Sequence, residues 1–200
     1  MRKDFGPKPW LYPLPVLILA AYDENGEPMA MNVGWAGMVG KDRVAIGLGK
    51  HHKTTKNLLK TGAFTLSPAT ASRKIPCDYV GIDSGNQVPD KMLRSGFHTE
   101  KAPCVNAPLL EELPLCAECR VLSYDEDQEL LLGRILNISA QESILGEDGR
   151  IDAEKAGFLT LDPGQLTYRT LGPVAGKAFH DGIVLSARSS AKPFDDEKDL

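Results

Sequence analysis

The sequence predicts a mainly β protein, an antiparallel barrel carrying a few short helices, and three observations predict it. Short β-leaning runs recur along the chain with Asn-Gly, Asp-Gly and acidic turns between them. Helical patterns are few and short. Strand and helix do not alternate, and no Gly-x-Gly-x-x-Gly follows a strand, which disfavours a doubly wound parallel sheet.

Taken in order, residues 15–22 form an apolar run that meets the turn Asp23-Glu24-Asn25-Gly26, so residues 29–39 are expected to return as the second strand of a hairpin. Residues 43–48 read as a third strand. Residues 53–60, stopped by Gly62, read as a short helix, and 63–67 return to strand. From 70 to 108 the chain is rich in Gly, Pro, Asp and Ser with weak periodicity, and one short helix is expected near 89–95. Residues 118–124 and 129–141 make a long hairpin about Asp125-Glu126-Asp127-Gln128. A turn at Glu147-Asp148-Gly149, a short helix over 152–158 and a last strand over 166–171 follow. The polar stretch 191–200 is expected to be a disordered tail.

With 200 residues, 42% hydrophobic and 25% charged, residues 1–190 suffice for a single domain with its own core. The formal charge of −4 is spread along the chain, so neither nucleic acid nor an anionic membrane surface is an expected partner. The start imitates a signal peptide, with Arg2 and Lys3 ahead of an apolar run at 14–21, but Pro7, Pro9, Pro13 and Pro15 interrupt it. No stretch approaches the roughly 18 apolar residues of a membrane span. A cytoplasmic protein with reduced thiols is expected, because four cysteines at irregular spacing do not make a disulfide framework. Cys116 and Cys119 form a Cys-x-x-Cys, yet residues three apart on a strand face opposite sides, which argues against a zinc or dithiol site. Asn137-Ile138-Ser139 is a glycosylation sequon by form alone.

Common catalytic patterns are missing: there is no Gly-x-Ser-x-Gly elbow, no Walker loop and no His-Glu-x-x-His. Two segments stand out instead. In Lys50-His51-His52-Lys53-Thr54-Thr55-Lys56-Asn57, cationic and hydroxyl side chains gather where a strand ends and a helix begins. Helix-start amides with Thr54 and Asn57 on one face suit a phosphate; a solvated basic turn is the competing reading. In Asn32-Val33-Gly34-Trp35, small residues surround a tryptophan. Glycine in a strand marks close approach of a ligand or a backbone, and a bulge with Trp35 in the core is the competing reading. A flat ligand with a phosphate tail would use both segments.

Together with Ser84-Gly85 to Asp90-Lys91, Ala107-Pro108-Leu109 to Glu118-Cys119, and Leu171-Gly172 to Phe179, these motifs resemble the flavin reductase-like family in order over about residues 10 to 180. Within it the chain is most similar to the flavoredoxins. The resemblance implies an FMN-binding split β-barrel, antiparallel and of Greek-key type, with FMN held non-covalently in a homodimer. It places Asn32, Val33, Gly34 and Trp35 along the isoalloxazine and ribityl. Lys50, Thr54 and Asn57 fall at the phosphate with the flanking His51 and Lys53, and Asp90 and Lys91 complete the pocket. His51-His52-Lys53 is more basic than the family pattern. The implied activity is an NAD(P)H-dependent flavin reductase, with no essential catalytic side chain because the flavin supplies the redox chemistry. The alternatives are an electron carrier with tightly bound FMN and no nicotinamide turnover, served by a redox protein partner, and a barrel that binds no flavin.

Overall fold

The computed structural model describes residues 1–185, so the expected tail at 191–200 lies outside the described residues. The chain runs through β1 (Leu14–Pro15), β2 (Leu17–Tyr22), β3 (Pro28–Val33), β4 (Ala36–Met38), β5 (Arg43–Gly47), α1 (Lys53–Thr61) and β6 (Ala63–Pro68). It continues through α2 (Lys74–Ile82), α3 (Lys91–Ser95), β7 (Thr99–Lys101), β8 (Pro108–Leu110), β9 (Leu115–Asp125) and β10 (Leu130–Ala140). The last elements are α4 (Ala153–Ala156), β11 (Leu159–Asp162) and β12 (Thr167–Thr170).

Seven antiparallel strands form the main sheet in the order β3-β2-β6-β9-β10-β5-β4. Its two edges, β3 and β4, are neighbours in sequence, joined only by Gly34 and Trp35. Laid flat, six strand spacings of ~4.8 Å would hold those edges roughly 29 Å apart. Two linking residues span about 11 Å from Val33 to Ala36 at most. The sheet must therefore curl, and the expected barrel is closed by a covalent link rather than by a last ladder of hydrogen bonds. This also corrects the expectation of one continuous strand over 29–39: the run breaks at Gly34-Trp35 and its two halves pair with different neighbours, β3 with β2 and β4 with β5.

The strand β2 shows why its sequence is apolar without alternation. Ile18 and Ala20 enter a cluster with Val80, Cys77, Phe97 and Leu110, while Leu19 and Ala21 enter the barrel interior with Ile46, Leu58, Phe64 and Leu131. Both faces are buried, as continuous apolar runs require. Gly133 on β10 is tied to the interior, because a Cβ there would come within 2.6 Å of the Phe64 ring. Helix α1 stops at Gly62 in the left-handed conformation, with φ 72° and its amide bonded to the Leu58 carbonyl, as the sequence predicts.

The 70–108 region departs from the expected excursions. A nine-residue helix, α2, occupies residues read as irregular, and it buries Cys77 and Val80 against the outer face of β2 and β3. The strand expected at 118–124 begins earlier, at Leu115, and a strand not foreseen, β11, joins β1 and β12 in a small separate sheet. Glu118 on β9 is fully buried; its carboxylate accepts from the Cys104 amide (2.6 Å) and the Asn137 side chain (2.8 Å) and so pins the loop ahead of β8. Among the described residues no helix is long and apolar enough to cross a membrane.

Candidate functional site

Where the two sheet edges meet, the chain leaves a cavity of about 510 Å³. That volume falls in the range of small-molecule sites, roughly 300–1,000 Å³. One wall is the link itself, Asn32, Val33, Gly34 and Trp35, with Pro15 and Val16 behind it. A second wall is the end of β5 and the turn after it, Gly47, Gly49, His51 and His52. The third comes from α2 and the small sheet: Asp78, Gly81, Ile82, Leu161 and Tyr168. Glycine and apolar residues predominate in the lining of this slot, with the carboxylates of Asp78 and Glu129 among them.

The slot adjoins a narrower pocket of about 180 Å³, and Met31, Asn32, His52, Gly81 and Ile82 line both. The narrow pocket is built from the first turn of α1 (Lys53, Thr54), the loop Asp83-Ser84-Gly85, and Lys91 at the start of α3. Its lining sets the cations of Lys53 and Lys91 against one carboxylate, Asp83, a balance that suits an anion. Lys91 is 3% exposed and makes no ion pair among the described residues. Loss of solvation pulls its ammonium down to about 8, with Asp83 working against that shift. Helix α1 has no acidic residue in its first turn and no side-chain cap at His52, so its opening amides and positive end remain available. A buried cation, a bare helix start and the hydroxyl of Thr54 converge where a phosphate would be held.

His52 stands between the two spaces. Burial lowers its basicity, with the neighbouring His51 and Lys91 adding to the effect and Glu129 opposing it, which favours the neutral ring. The imidazoles of His51 and His52 lie 5.2 Å apart, folded over Gly49, where a Cβ would come within 3.1 Å of His52. On the far wall the Tyr168 hydroxyl donates to Asp78; partial burial, then that carboxylate, push the phenol up to about 12.

Of the residues singled out from sequence, Asn32, Val33, Gly34, Trp35 and His51 line the slot, and Lys53, Thr54 and Lys91 line the anion pocket. Trp35 is 66% exposed, beside the slot and not in the core. Asn57 is buried but faces a neighbouring groove. Lys50 lines neither cavity: its amide donates to Glu129 and its ammonium sits 3.8 Å from Glu126. Asp90 is turned onto its own helix by a 2.8 Å bond from Arg94. Sequence reasoning missed Gly81, Asp78, Leu161 and Tyr168, which reach the slot only through the packing of α2 and the small sheet. The unusual Gly81 held a signal: a Cβ there would come within 2.9 Å of the Asn32 Cβ.

The same architecture occurs in known proteins. The chain is 29% identical to flavoredoxin of Desulfovibrio vulgaris (Miyazaki F) with a TM-score of 0.86, over 91% of this chain and 100% of that one. It is 27% identical to flavoredoxin from Methanosarcina acetivorans with a TM-score of 0.84, over 93% and 100%. An FMN-binding domain of a flavin reductases-like enzyme from Shewanella baltica OS155 shares the fold at 16% identity and a TM-score of 0.72, over 82% and 88%. No curated protein sequence matches the chain. Residues 11–163 match the family model of the flavin reductase like domain, and the chain belongs to that family.

Proposed function

We propose that this chain is a flavoprotein oxidoreductase that binds FMN without a covalent bond and acts as an NAD(P)H-dependent flavin reductase. One observation carries the reading: a slot lined mainly by glycine and apolar residues adjoins a pocket where the buried cation of Lys91 lies beside the bare start of α1. A planar ring with a phosphate tail matches that sequence of surfaces. Bound FMN would supply the electron and hydride chemistry that no side chain can provide. The chain's own residues bind and orient: Asn32 to Trp35 and Gly47 to Gly49 shape the ring slot, Lys91 and Thr54 hold the phosphate, and Gly81 lets α2 approach β3 closely. His52 separates the two ends.

The first test is the visible spectrum of the purified protein, with heat release and chromatography of any yellow chromophore. Released FMN, or saturable uptake of added FMN, is expected; a protein that stays colourless in excess FMN overturns the reading. The flavoredoxin relatives favour a second version, a tight FMN carrier without nicotinamide turnover that exchanges electrons with a redox protein. Steady-state NAD(P)H oxidation with added FMN separates them, since turnover requires the reductase.

We further propose a homodimer working in the cytoplasm. An apolar groove of about 300 Å³, lined by Leu17, Val44, Ile135 and the exposed Met38 and Ile138, is suited to a second copy, and four unpaired cysteines suit a reducing compartment. Sedimentation at micromolar concentration is expected to give twice the 21.7 kDa chain mass, and a monomer would refute the pairing.

A further inference from the structure

The charged side chains of the candidate site are sorted by sign. Lys53 and Lys91 line the anion pocket, whereas the slot is lined by two carboxylates, Asp78 and Glu129, and by no lysine or arginine. Glu129 is engaged by the turn ahead of α1, its Oε1 accepting from the Lys50 amide at 3.2 Å. Asp78 makes no ion pair among the described residues; its Oδ1 accepts from the Tyr168 hydroxyl at 2.5 Å, and Oδ2 has no partner among them. We infer that Asp78, held in place by Tyr168, sets the balance between the oxidised and reduced forms of the flavin, opposing the negative charge that reduction adds to the ring. The inference rests on the flavin reading above and extends it.

Uptake of two electrons and one proton converts FMN to its reduced form and leaves a negative charge on the ring. Donors aimed at such a charge stabilise it, and a carboxylate in the same place does the reverse. The phosphate keeps its charge throughout, so the lysine end of the site holds both forms alike and discrimination falls to the slot. The fold places Asp78 for this. On α2 it stands three residues from Gly81, on the same wall of the slot, so one helix face supplies both the room and the charge. Tyr168 pairs on β12 with Leu161 of β11, another residue of that wall. The turn between these strands is fixed by the Asp162 carboxylate, which accepts from the amides of Gly164 and Gln165, from the Tyr12 hydroxyl at 2.7 Å and from Arg169 at 3.2 Å. The arginine next to Tyr168 in sequence is thereby engaged by Asp162, and Asp78 is left with a neutral partner. Burial and the carboxylate push the Tyr168 phenol up to about 12, so it remains a donor and does not cancel the charge it holds.

The test is the reduction potential of FMN bound to the full chain, measured against free FMN by equilibration with a redox dye, for the wild type, Asp78→Asn, Asp78→Ala and Asp78→Glu. Circular dichroism and thermal melting confirm that each variant folds. The difference between bound and free potentials gives the ratio of the dissociation constants of the two forms, and a change that only loosens the slot weakens both forms and leaves that ratio where it was. Asp78→Asn is expected to shift the ratio at least fivefold in favour of the reduced form, a rise of about 20 mV for a two-electron couple. Asp78→Ala should do the same, and Asp78→Glu, which keeps the charge, should stay within twofold of the wild type. A shift below fivefold or of opposite sign in the neutral variants, or a shift of the same size in Asp78→Glu, overturns the role of Asp78 while leaving the FMN reading intact. Failure of the wild type to bind FMN overturns both.

Discussion

The two ends of the candidate site are built on opposite principles. The slot is defined by what its residues lack: Gly34, Gly47, Gly49 and Gly81 leave room, and no lysine or arginine lines it. The anion pocket is defined by what its residues carry, a desolvated ammonium, a hydroxyl and a helix start. Shape and charge respond to different perturbations. Riboflavin, which has the ring without the phosphate, isolates the first end, and FMN reports on both.

The largest separation between the ends is expected from Lys91→Met, which keeps the length of the side chain and removes its charge. A charge-assisted contact is worth about 1.5–3 kcal/mol, which corresponds to a roughly 10- to 100-fold loss of FMN affinity. Riboflavin affinity should change less than threefold. A parallel loss for both ligands, measured by fluorescence titration, would show that Lys91 shapes the slot instead of holding a phosphate.

Gly81→Val is the converse change, and its effect is expected to be next in size. The added carbon would stand 2.9 Å from the Asn32 Cβ, so α2 must move away from β3. Overpacking of this kind costs about 1–3 kcal/mol. FMN and riboflavin should weaken alike, by about tenfold, because both depend on the slot. Selective loss of FMN would contradict the division of labour.

How much of this was legible in the sequence follows the same split. The pieces carried by contiguous residues were readable: the Asn25-Gly26 hairpin, the helix ended by Gly62, the long hairpin about Asp125, and the adjacency of segment 32–35 to the turn at 51–54. Helix α2 was not. Pro76 and Gly81 lie within it, it lacks a strong apolar stripe, and it is a helix because Cys77 and Val80 pack against β2 and β3. Asp78, Gly81, Leu161 and Tyr168 were illegible for that reason, since three separate stretches of chain converge only when the sheet curls. The break at Gly34-Trp35 was also hidden, because the pairing partner changes from β2 to β5 across only two residues.

A pH series sharpens the contrast without mutation. With its folded value near 8 and an unfolded value near 10.4, Lys91 binds more protons in the unfolded chain between those limits. Flavin-free protein should therefore gain stability as pH rises from about 8 to 10.4, and Lys91→Met should flatten that rise. FMN binding favours the charged ammonium, so FMN affinity should fall above pH 8 while riboflavin affinity stays level. Thermal melts and titrations at matched ionic strength check the two halves separately.

His52 decides where the boundary between the ends falls, and the effect expected of it is the smallest. It lines both spaces, and the titratable groups around it are His51, Lys91 and Glu129. Burial favours the neutral ring in the flavin-free protein, so at pH 8 His52→Gln should change FMN affinity less than threefold. A phosphate beside it would favour the imidazolium, and each FMN bound near pH 6.5 would then take up part of a proton. FMN affinity should rise two- to fivefold as pH falls from 7.5 to 6.5, and His52→Gln should remove that rise. The window stops there because the phosphate itself gains a proton near pH 6. If riboflavin showed the same rise, the proton would be reporting on the ring, and His52 would belong to the slot. If only FMN showed it, the anion site would extend past Lys91 to the imidazole, and the basic His51-His52-Lys53 sequence would have a role at the phosphate.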